Sequence, residues 1–187
     1  MAARILVMVG GISKNSLNEK LYGAIQNAHG KDFTFEDYDI KSLPFFSQDL
    51  EADPPSIVTD FRKLIRSSEG VLIITPEYNR SFPAVIKNAL DWGSRPYGQS
   101  VWNHKPAGVI GASVGAIGTF GAQHHLRQVL AYLNMPTLGQ PEMYINAGKS
   151  FDPKGKLVDT PLQDHLAQYM KTFGQWVSQH RQPSTNA

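Results

Sequence analysis

The sequence predicts an α/β fold in which helices cover both faces of a doubly wound, five-stranded parallel sheet. Short apolar segments alternate five times with segments whose apolar residues recur at helical spacing along the 187 residues. The short segments are mostly apolar throughout, which is typical of strands buried on both faces. Loops rich in glycine, proline or serine follow several of them, as in repeated βαβ units. No internal repeat or linker interrupts this order, so residues 1–187 are expected to form a single domain.

Each expected element rests on its own local pattern. Ser16 stands three positions before Glu19, which is the spacing of a helix cap, and the first helix is expected to follow it. The five strands are expected at residues 4–9, 33–40, 71–74, 106–112 and within 136–145. The five helices are expected at residues 17–28, 56–68, 84–92, 122–133 and 161–177. The residues from about 180 to 187 are expected to be a disordered tail.

Composition and charge exclude several classes of protein. Hydrophobic residues make up 41% and charged residues 18% of the chain, as in ordinary globular proteins. A net charge of +2 is too small to indicate a nucleic-acid partner. The absence of cysteine excludes disulfides, a thiolate nucleophile and a Cys-based metal site. No apolar segment approaches the length of a membrane span and no signal-peptide pattern is present, so a cytoplasmic protein is expected.

The first loop (residues 10–18) follows the first strand and is expected to bind phosphate. Right-handed crossovers place it at the same edge of the sheet as the loops after the third and fourth strands. Backbone N–H groups at a helix N-terminus, together with Ser13, Ser16 and Asn18, would form a phosphate cradle. Neither the P-loop nor the dinucleotide glycine pattern is present. Alternatively, these polar residues only cap the helix.

The central loop (residues 75–83) has the composition of a preorganised binding site. Pro76 and Pro83 would hold its backbone still, so that N–H groups around residues 77–79 could donate to a planar ligand. Tyr78 could stack on that ligand or pack as an ordinary loop aromatic. Glu77 is either a general acid or base, or an exposed carboxylate in a turn. The carboxyl end of a parallel strand is where open α/β sheets bind ligands.

The last loop (residues 113–121) is rich in glycine and begins with Ser113. Glycines at positions 115, 118 and 121 would let the backbone approach a flat ring or a pyrophosphate, although they would also suit a flexible connector. A phosphate cradle, a ring platform and a glycine shelf at one sheet edge together suit a mononucleotide that ends in a flat heterocycle. A flavin fits this description best.

Two other motifs bear on this interpretation, one typical of serine hydrolases and one a pair of histidines. The segment Gly-Ala-Ser-Val-Gly at residues 111–115 matches the nucleophile elbow of serine hydrolases. A triad would then combine Ser113 with His165 and with Asp152 or Asp159. His124 and His125 are adjacent on a helix and therefore face different directions, so no metal site is expected there.

Four segments occur in an order that resembles a known family. They are residues 75–81 (Thr-Pro-Glu-Tyr-Asn-Arg-Ser), 87–91 (Lys-Asn-Ala-Leu-Asp), 94–98 (Ser-Arg-Pro-Tyr-Gly) and 115–121 (Gly-Ala-Ile-Gly-Thr-Phe-Gly). Together they resemble the NAD(P)H-dependent FMN reductases of flavodoxin-like fold, and within them the bacterial chromate and quinone reductases. The similarity extends over nearly the whole chain. It implies the strand order 2-1-3-4-5, a non-covalent FMN, and NADH or NADPH as electron donor.

The resemblance implies an FMN site that draws on all three loops. The cofactor-binding residues it implies are Gly11, Ser13, Lys14, Ser16, Leu17, Asn18, Pro76, Glu77, Tyr78, Asn79, Ser113, Val114 and Gly115. Arg80 and Arg95 are expected beside the ring, where they would attract the cofactor phosphate or an anionic acceptor; alternatively they lie on a solvated surface or form an ion pair across a dimer interface. The usual family loop resembles Gly-Ser-Leu-Arg-Lys-x-Ser-x-Asn. Here glycine replaces its first serine and Ser13 replaces its arginine, so weaker FMN binding is expected, with Lys14 as a substitute contact.

The activity implied by the resemblance is a ping-pong hydride transfer. NAD(P)H would reduce the flavin at N5, and a quinone, free flavin, azo compound or metal oxyanion such as chromate would then reoxidise it. The resemblance also implies a homodimer that often pairs into a homotetramer, with small molecules as electron acceptors. A flavodoxin-like electron carrier without nicotinamide turnover is the alternative, and steady NADPH oxidation with a quinone would separate the two.

Overall fold

A five-stranded parallel sheet forms the centre of the computed structural model, which describes residues 2–181. The strand order is β2-β1-β3-β4-β5, which confirms the predicted fold class and order. The strands are β1 (Ala3–Val9), β2 (Phe33–Asp37), β3 (Gly70–Ile74), β4 (Ala107–Ser113) and β5 (Tyr144–Asn146). The helices are α1 (Leu17–His29), α2 (Ser56–Ser67), α3 (Ala84–Gly93), α4 (Phe120–Tyr132) and α5 (Thr160–His180).

Two hydrophobic cores lie on opposite faces of the sheet. Successive side chains of β1 alternate between them, with Ile5 and Val7 in one core and Leu6 and Met8 in the other. Helices α1 and α5 cover the first face, and α2, α3 and α4 cover the second. The sheet is therefore buried on both sides, which explains why its central strands are apolar throughout.

Most elements end within one residue of the predicted position, and the larger differences are at β2 and α5. Strand β2 stops at Asp37, because the chain then turns into a short 3₁₀ helix that buries Ile40. Strand β5 is only three residues long and ends at Asn146, one residue past the predicted limit. Helix α5 continues to His180, whose ring lies 3.8 Å from that of Trp176, so the predicted tail begins later. The rest of that tail, residues 182–187, lies outside the described residues.

The parallel sheet brings the three predicted loops to one edge. Strands β1, β3 and β4 are consecutive in the sheet, and each ends at that edge. Because the carboxyl ends of parallel strands share an edge, the first, central and last loops lie side by side. Within residues 2–181, none of the helices is both long and apolar enough to cross a membrane.

Candidate functional site

The first loop presents unpaired backbone donors at the start of α1. Ser16 caps the helix as predicted: its Oγ accepts hydrogen bonds from the N–H groups of Asn18 (3.2 Å) and Glu19 (3.3 Å). The N–H groups of residues 11–15 make no hydrogen bond to any residue between 2 and 181. Such a run of free N–H groups, at the positive end of a helix dipole, is suited to an anion.

Gly11 is needed for this arrangement because the backbone passes very close to the cap. A Cβ placed on Gly11 would overlap Ser16 Oγ and would also crowd the Cβ of Asn18. Any side chain at this position would displace the capping hydroxyl. Glycine at position 11, which departs from the usual family loop, is thus compatible with the Ser16 cap, whereas a larger residue would require Ser16 to move.

The Asn18 side chain joins the first loop to β4. It is buried, and its Nδ2 donates to the carbonyl of Ala112 (3.1 Å) while its Oδ1 accepts from the Ala112 N–H (2.9 Å). Asn18 was predicted to donate to a phosphate, but both ends of its amide are engaged by β4. The structure therefore gives Asn18 the role of holding the first loop beside the last loop.

The central loop contains a tight hairpin turn. The N–H groups of Tyr78 and Ser81 each donate to the other residue's carbonyl at 2.9 Å, and Asn79 and Arg80 between them have φ angles of 50° and 65°. Two positive φ angles in a row define a type I′ turn. Tyr78 is half exposed, and the N–H groups of Glu77 and Asn79 donate no hydrogen bond to the described residues. The turn thus leaves the Tyr78 ring exposed, and it leaves the N–H groups of Glu77 and Asn79 free to donate to a ligand.

The Glu77 side chain caps helix α4, which lies far along the chain from it. Its carboxylate is only 9% exposed; Oε2 accepts from the N–H of Ala122 in the first turn of α4 (3.0 Å), and Oε1 accepts from Arg80 Nη1 (2.8 Å). The residue that precedes the helix, Thr119, makes no capping hydrogen bond. A carboxylate beside the N-terminus of a helix is favoured by the helix dipole. Glu77 is therefore neither the acid–base group nor the free turn carboxylate that the sequence allowed.

The last loop is shaped by the hydroxyl of Ser113. Its Oγ donates to the carbonyl of Gly118 (2.7 Å) and accepts from the N–H of Gly115 (3.2 Å). Gly118 has a φ of 61°, and a Cβ there would overlap the backbone between Tyr144 and Ile145. The loop is therefore folded back against β5, and Val114 and Gly115 are left exposed at its tip.

A cavity of about 530 Å³ lies between the central and last loops. Its walls are Glu77, Asn79, Arg80, Ser113, Val114, Gly115, Ala116, Ile117 and Gly118. A larger groove of about 970 Å³ runs between α1 and α5, on the far side of the first loop. Only the smaller cavity joins two of the predicted loops, and the Asn18 contact places the third loop next to it.

Comparisons with known proteins agree with this geometry. Residues 3–150 match the sequence model of the family described as NADPH-dependent FMN reductase. The chain belongs to that family. FMN is therefore its cofactor and NAD(P)H its electron donor, and the chain is an oxidoreductase.

Individual relatives within the family are similar over nearly their full lengths. A 2-hydroxy-1,4-benzoquinone reductase of Burkholderia sp. is 47% identical over 97% of this chain and 100% of its own. A quinone reductase of Pseudomonas putida is 43% identical over 95% and 96% of the two chains. The solved structure of FerB, a flavoenzyme NAD(P)H:(acceptor) oxidoreductase from Paracoccus denitrificans, superimposes with a TM-score of 0.91 at 38% identity, over 97% of this chain and 100% of its own.

The chemistry of the loops fits an FMN molecule. The free N–H groups of residues 11–15 suit its phosphate, and Lys14 is exposed in the same loop. At Gly115 an added Cβ would find no atom nearer than Ser113 Oγ at 3.6 Å, so there is room for a flat ring against the last loop.

Three carboxylates lie near the first loop as well: Glu19, Asp37 and Asp39 line a cavity of about 580 Å³ on its β2 side.

These carboxylates repel one another. Burial, followed by the charge of Asp39, raises the pKa of the Asp37 carboxyl, and burial followed by the charge of Asp37 raises the pKa of Glu19. Lys14 and Lys41 line the same cavity, so that the β2 side of the first loop carries charges of both signs. The central and last loops contribute Arg80 and free N–H groups.

Arg80 and Arg95, which were predicted to lie together, are separated in this chain. Arg80 lines the cavity, whereas Arg95 lies over the ring of Phe46 (5.5 Å to its centroid) and 3.7 Å from Glu51. Helix α3 runs between them, and its 10 residues carry the chain about 15 Å away from the central loop. Arg95 is therefore engaged in an ion pair within the chain, which is neither the ring contact nor either of the alternatives that the sequence suggested.

The serine hydrolase hypothesis is wrong. Ser113 donates its hydroxyl proton to a backbone carbonyl, and none of the described histidines contacts it. Asp159 caps α5 through the Leu162 N–H, and Asp152 accepts from two N–H groups of its own loop. His165 lines a separate cavity near β5.

Two histidines at the site were not predicted to have a role there. His125 Nδ1 lies 2.9 Å from Ser81 Oγ, at the base of the hairpin turn, and His124 Nε2 lies 3.0 Å from the hydroxyl of Tyr144. The first contact joins α4 to the central loop, and the second joins α4 to β5. Burial and then the neighbouring Glu142 raise the pKa of Tyr144 to about 12, so that its hydroxyl remains protonated. The only local signal was the histidine pair itself, which does not reveal the partners.

Proposed function

We propose that the chain is an FMN-dependent NAD(P)H:quinone oxidoreductase. The observation that carries this proposal is the meeting of three loops at one sheet edge, with free N–H groups on one loop and an open cavity between the other two. The names of the relatives, two of which are quinone reductases, support the choice of acceptor. Free flavins, azo compounds and chromate are further acceptors that an open flavin face would reduce.

In this proposal the first loop holds the FMN phosphate. The N–H groups of residues 11–15, the hydroxyls of Ser13 and Ser16, and the ammonium of Lys14 are its donors, and Leu17 anchors the end of the loop against the core. Because the loop has no arginine, one bidentate contact to phosphate is missing. In this proposal Asn18 acts on the phosphate site through its bonds to Ala112, by holding the first loop in place.

The central and last loops position the ring. The N–H groups of Glu77 and Asn79 face outward as donors to ring oxygens or nitrogens, and Tyr78 supplies an aromatic contact. Pro76 is buried and fixes the start of the turn. Ser113 holds the loop so that Val114 and Gly115 form the opposite wall. Backbone donors of this wall would stabilise negative charge that develops on the reduced ring.

The reaction we propose follows a ping-pong order. Bound FMN supplies the hydride chemistry, accepting a hydride from NAD(P)H and passing it to the acceptor. The chain binds donor and acceptor in turn in the same cavity and orients each over the ring. In total, one quinone takes up the hydride and one proton from the solvent, and leaves as the hydroquinone.

We also propose that the chain forms a homodimer, which pairs further into a homotetramer, as the family resemblance implies. The side chains of Phe45, Tyr97 and Tyr132 are between 79% and 88% exposed in the single chain, so that they are available to a partner. Light scattering on the purified protein would report the mass. A monomer of 20.7 kDa at micromolar concentration would contradict this proposal.

The first experiment is an anaerobic NADPH titration of the purified protein, followed by absorbance. We expect a yellow protein whose oxidised flavin bands bleach with one NADPH per chain and return on addition of a quinone. Steady NADPH oxidation in the presence of the quinone would exclude a one-electron carrier. A protein that stays colourless after FMN is added would contradict the proposal.

A further inference from the structure

Arg80 is held in a conformation that arginine rarely adopts, and it lies at the wall of the cavity. Its φ of 65° falls in the left-handed region, where a side chain other than glycine or asparagine is disfavoured by about 1 kcal/mol or more. Its side chain is nevertheless 72% exposed, so that packing does not explain it. The type I′ turn of the central loop requires a positive φ at this position, where glycine is the usual residue. Arginine in its place makes the turn less stable, which indicates that the side chain is used.

The guanidinium of Arg80 is oriented by one hydrogen bond, and its other donors are free. Nη1 donates to Glu77 Oε1 at 2.8 Å, whereas Nε and Nη2 make no hydrogen bond within residues 2–181. The second oxygen of Glu77 accepts from the first turn of α4, so its negative charge is shared with the positive end of that helix. Among the residues that line the cavity, Arg80 is the only cation. The cavity wall therefore offers a guanidinium with free donors, oriented by the Glu77 carboxylate that lines the same cavity.

We propose that Arg80 makes the reductase selective for quinones that are themselves anions, namely ionised hydroxyquinones. A hydroxyl group on a 1,4-benzoquinone ring is a vinylogous acid and is ionised at neutral pH, with its charge shared between two ring oxygens. A guanidinium can donate in parallel to the ionised oxygen and to the quinone oxygen on the neighbouring ring carbon, which a lysine cannot do. This inference rests on the quinone reductase function proposed above and names its acceptor class and the residue that selects it.

Arg80 would also assist the transfer itself. An anionic quinone that accepts a hydride becomes a dianion, and two protons from the solvent then give the neutral trihydroxybenzene. The second negative charge develops on the ring oxygens that the guanidinium contacts, so that a fixed cation there stabilises the transition state more than the bound substrate. An uncharged quinone, which becomes a monoanion in the same step, has less need of that cation.

The test compares two acceptors in matched variants. The probes are 2-hydroxy-1,4-benzoquinone, an anion at neutral pH, and 1,4-benzoquinone, which is uncharged. For Arg80→Gln we expect kcat/KM to fall at least tenfold with the anionic acceptor and less than about threefold with the uncharged one. Arg80→Lys should recover only part of the loss. The matched control is Arg66→Gln, which removes an exposed arginine in the last turn of α2, at the opposite edge of the sheet, and should change neither value.

Other outcomes assign Arg80 differently. Equal losses with both acceptors, or none with either, would overturn the inference while leaving the quinone reductase function intact. A higher KM for NADPH but not for NADH, without acceptor selectivity, would assign Arg80 to the donor phosphate and also overturn it. If the wild-type protein binds no FMN, or oxidises no NADPH with either quinone, the proposed function itself has failed. Added salt should reduce the wild-type preference for the anion, and have little effect on Arg80→Gln.

Discussion

At the scale of single residues, the site depends on contacts between positions that are remote in sequence. Ser16 could be predicted as a cap because its partners are two and three positions away. Asn18 bonds a residue 94 positions away, and Glu77 one that is 45 positions away. A sequence shows that such polar residues are present but not which backbone they will meet. This is why the loops were predicted and the roles of Asn18 and Glu77 were not.

The close approach at Gly11 yields the first prediction. Replacing Gly11 by alanine should displace the Ser16 hydroxyl, and the loss of this cap should lower the free energy of unfolding by about 1–2 kcal/mol. Distortion of the adjacent N–H groups should weaken FMN binding by roughly tenfold, which corresponds to about 1.4 kcal/mol. Urea unfolding of the apoprotein and a fluorescence titration with FMN would measure the two effects.

Gly23→Ala is the matched control for Gly11→Ala. Gly23 lies inside α1, and a Cβ added there would find no atom within 4 Å. Alanine should stabilise the helix by about 0.5–1 kcal/mol and leave FMN affinity unchanged. If Gly11→Ala binds FMN as tightly as Gly23→Ala, the first loop does not hold the phosphate in the way we propose.

At the scale of elements, a helix is begun by a loop that precedes it by about forty residues. Helix α4 lacks a capping side chain at Thr119 and receives the Glu77 carboxylate instead. The same carboxylate orients Arg80. The alternation of strands and helices was predictable from apolar patterns, because these are local. The start of α4, predicted at residue 122 and found at Phe120, was not, because its cap comes from another element.

Removal of the Glu77 carboxylate is the second prediction. Glu77→Ala should lower the free energy of unfolding by about 1–2 kcal/mol, because the first turn of α4 loses its cap. Amide hydrogens in that turn should exchange faster with deuterium. Asp60→Ala, which removes an exposed carboxylate paired with Lys63, should change stability by less than about 0.5 kcal/mol. Equal effects of the two substitutions would refute the capping role.

The carboxylate at the end of β2 gives the third prediction, which concerns pH. The pKa of Asp37 is raised in the folded protein by burial and by Asp39, so its ionised form destabilises the fold at neutral pH. Asp37→Asn should therefore raise the free energy of unfolding at neutral pH, by no more than about 1 kcal/mol because the group is partly exposed. Protonation of Asp37 in the wild type should reduce this advantage as the pH falls through its folded pKa. Urea midpoints at neutral and acid pH would measure it; an advantage that grows on acidification would contradict the prediction.

At the scale of the whole molecule, the two edges of the sheet have different roles. The edge at the carboxyl ends of the strands holds the three loops, whereas the opposite edge is held together by buried charged groups. Arg62 of α2 is buried, and its guanidinium donates to the carbonyls of Trp92 (3.2 Å), Gly93 (3.2 Å) and Gln99 (2.9 Å). Burial, and then the charge of Arg66, lower the pKa of Arg62.

The fourth prediction separates the two edges. Arg62→Met should lower the free energy of unfolding by about 2–4 kcal/mol, because three carbonyls lose a charged donor. FMN affinity should remain within about twofold of wild type, since the change lies at the opposite edge. Lys63→Met, at the adjacent exposed position, should leave both quantities almost unchanged. A large loss of FMN affinity in Arg62→Met would show that the edges are coupled.

At position 80, the residue that would best stabilise the backbone differs from the residue that would select the substrate. Glycine would relieve the backbone there by about 1 kcal/mol and would remove the guanidinium altogether. In a library selected only for resistance to heat, Arg80→Gly should be enriched; in one selected for growth that depends on reducing a hydroxyquinone, arginine should return. The residue at position 80 would then record which of the two pressures a population of these genes has experienced.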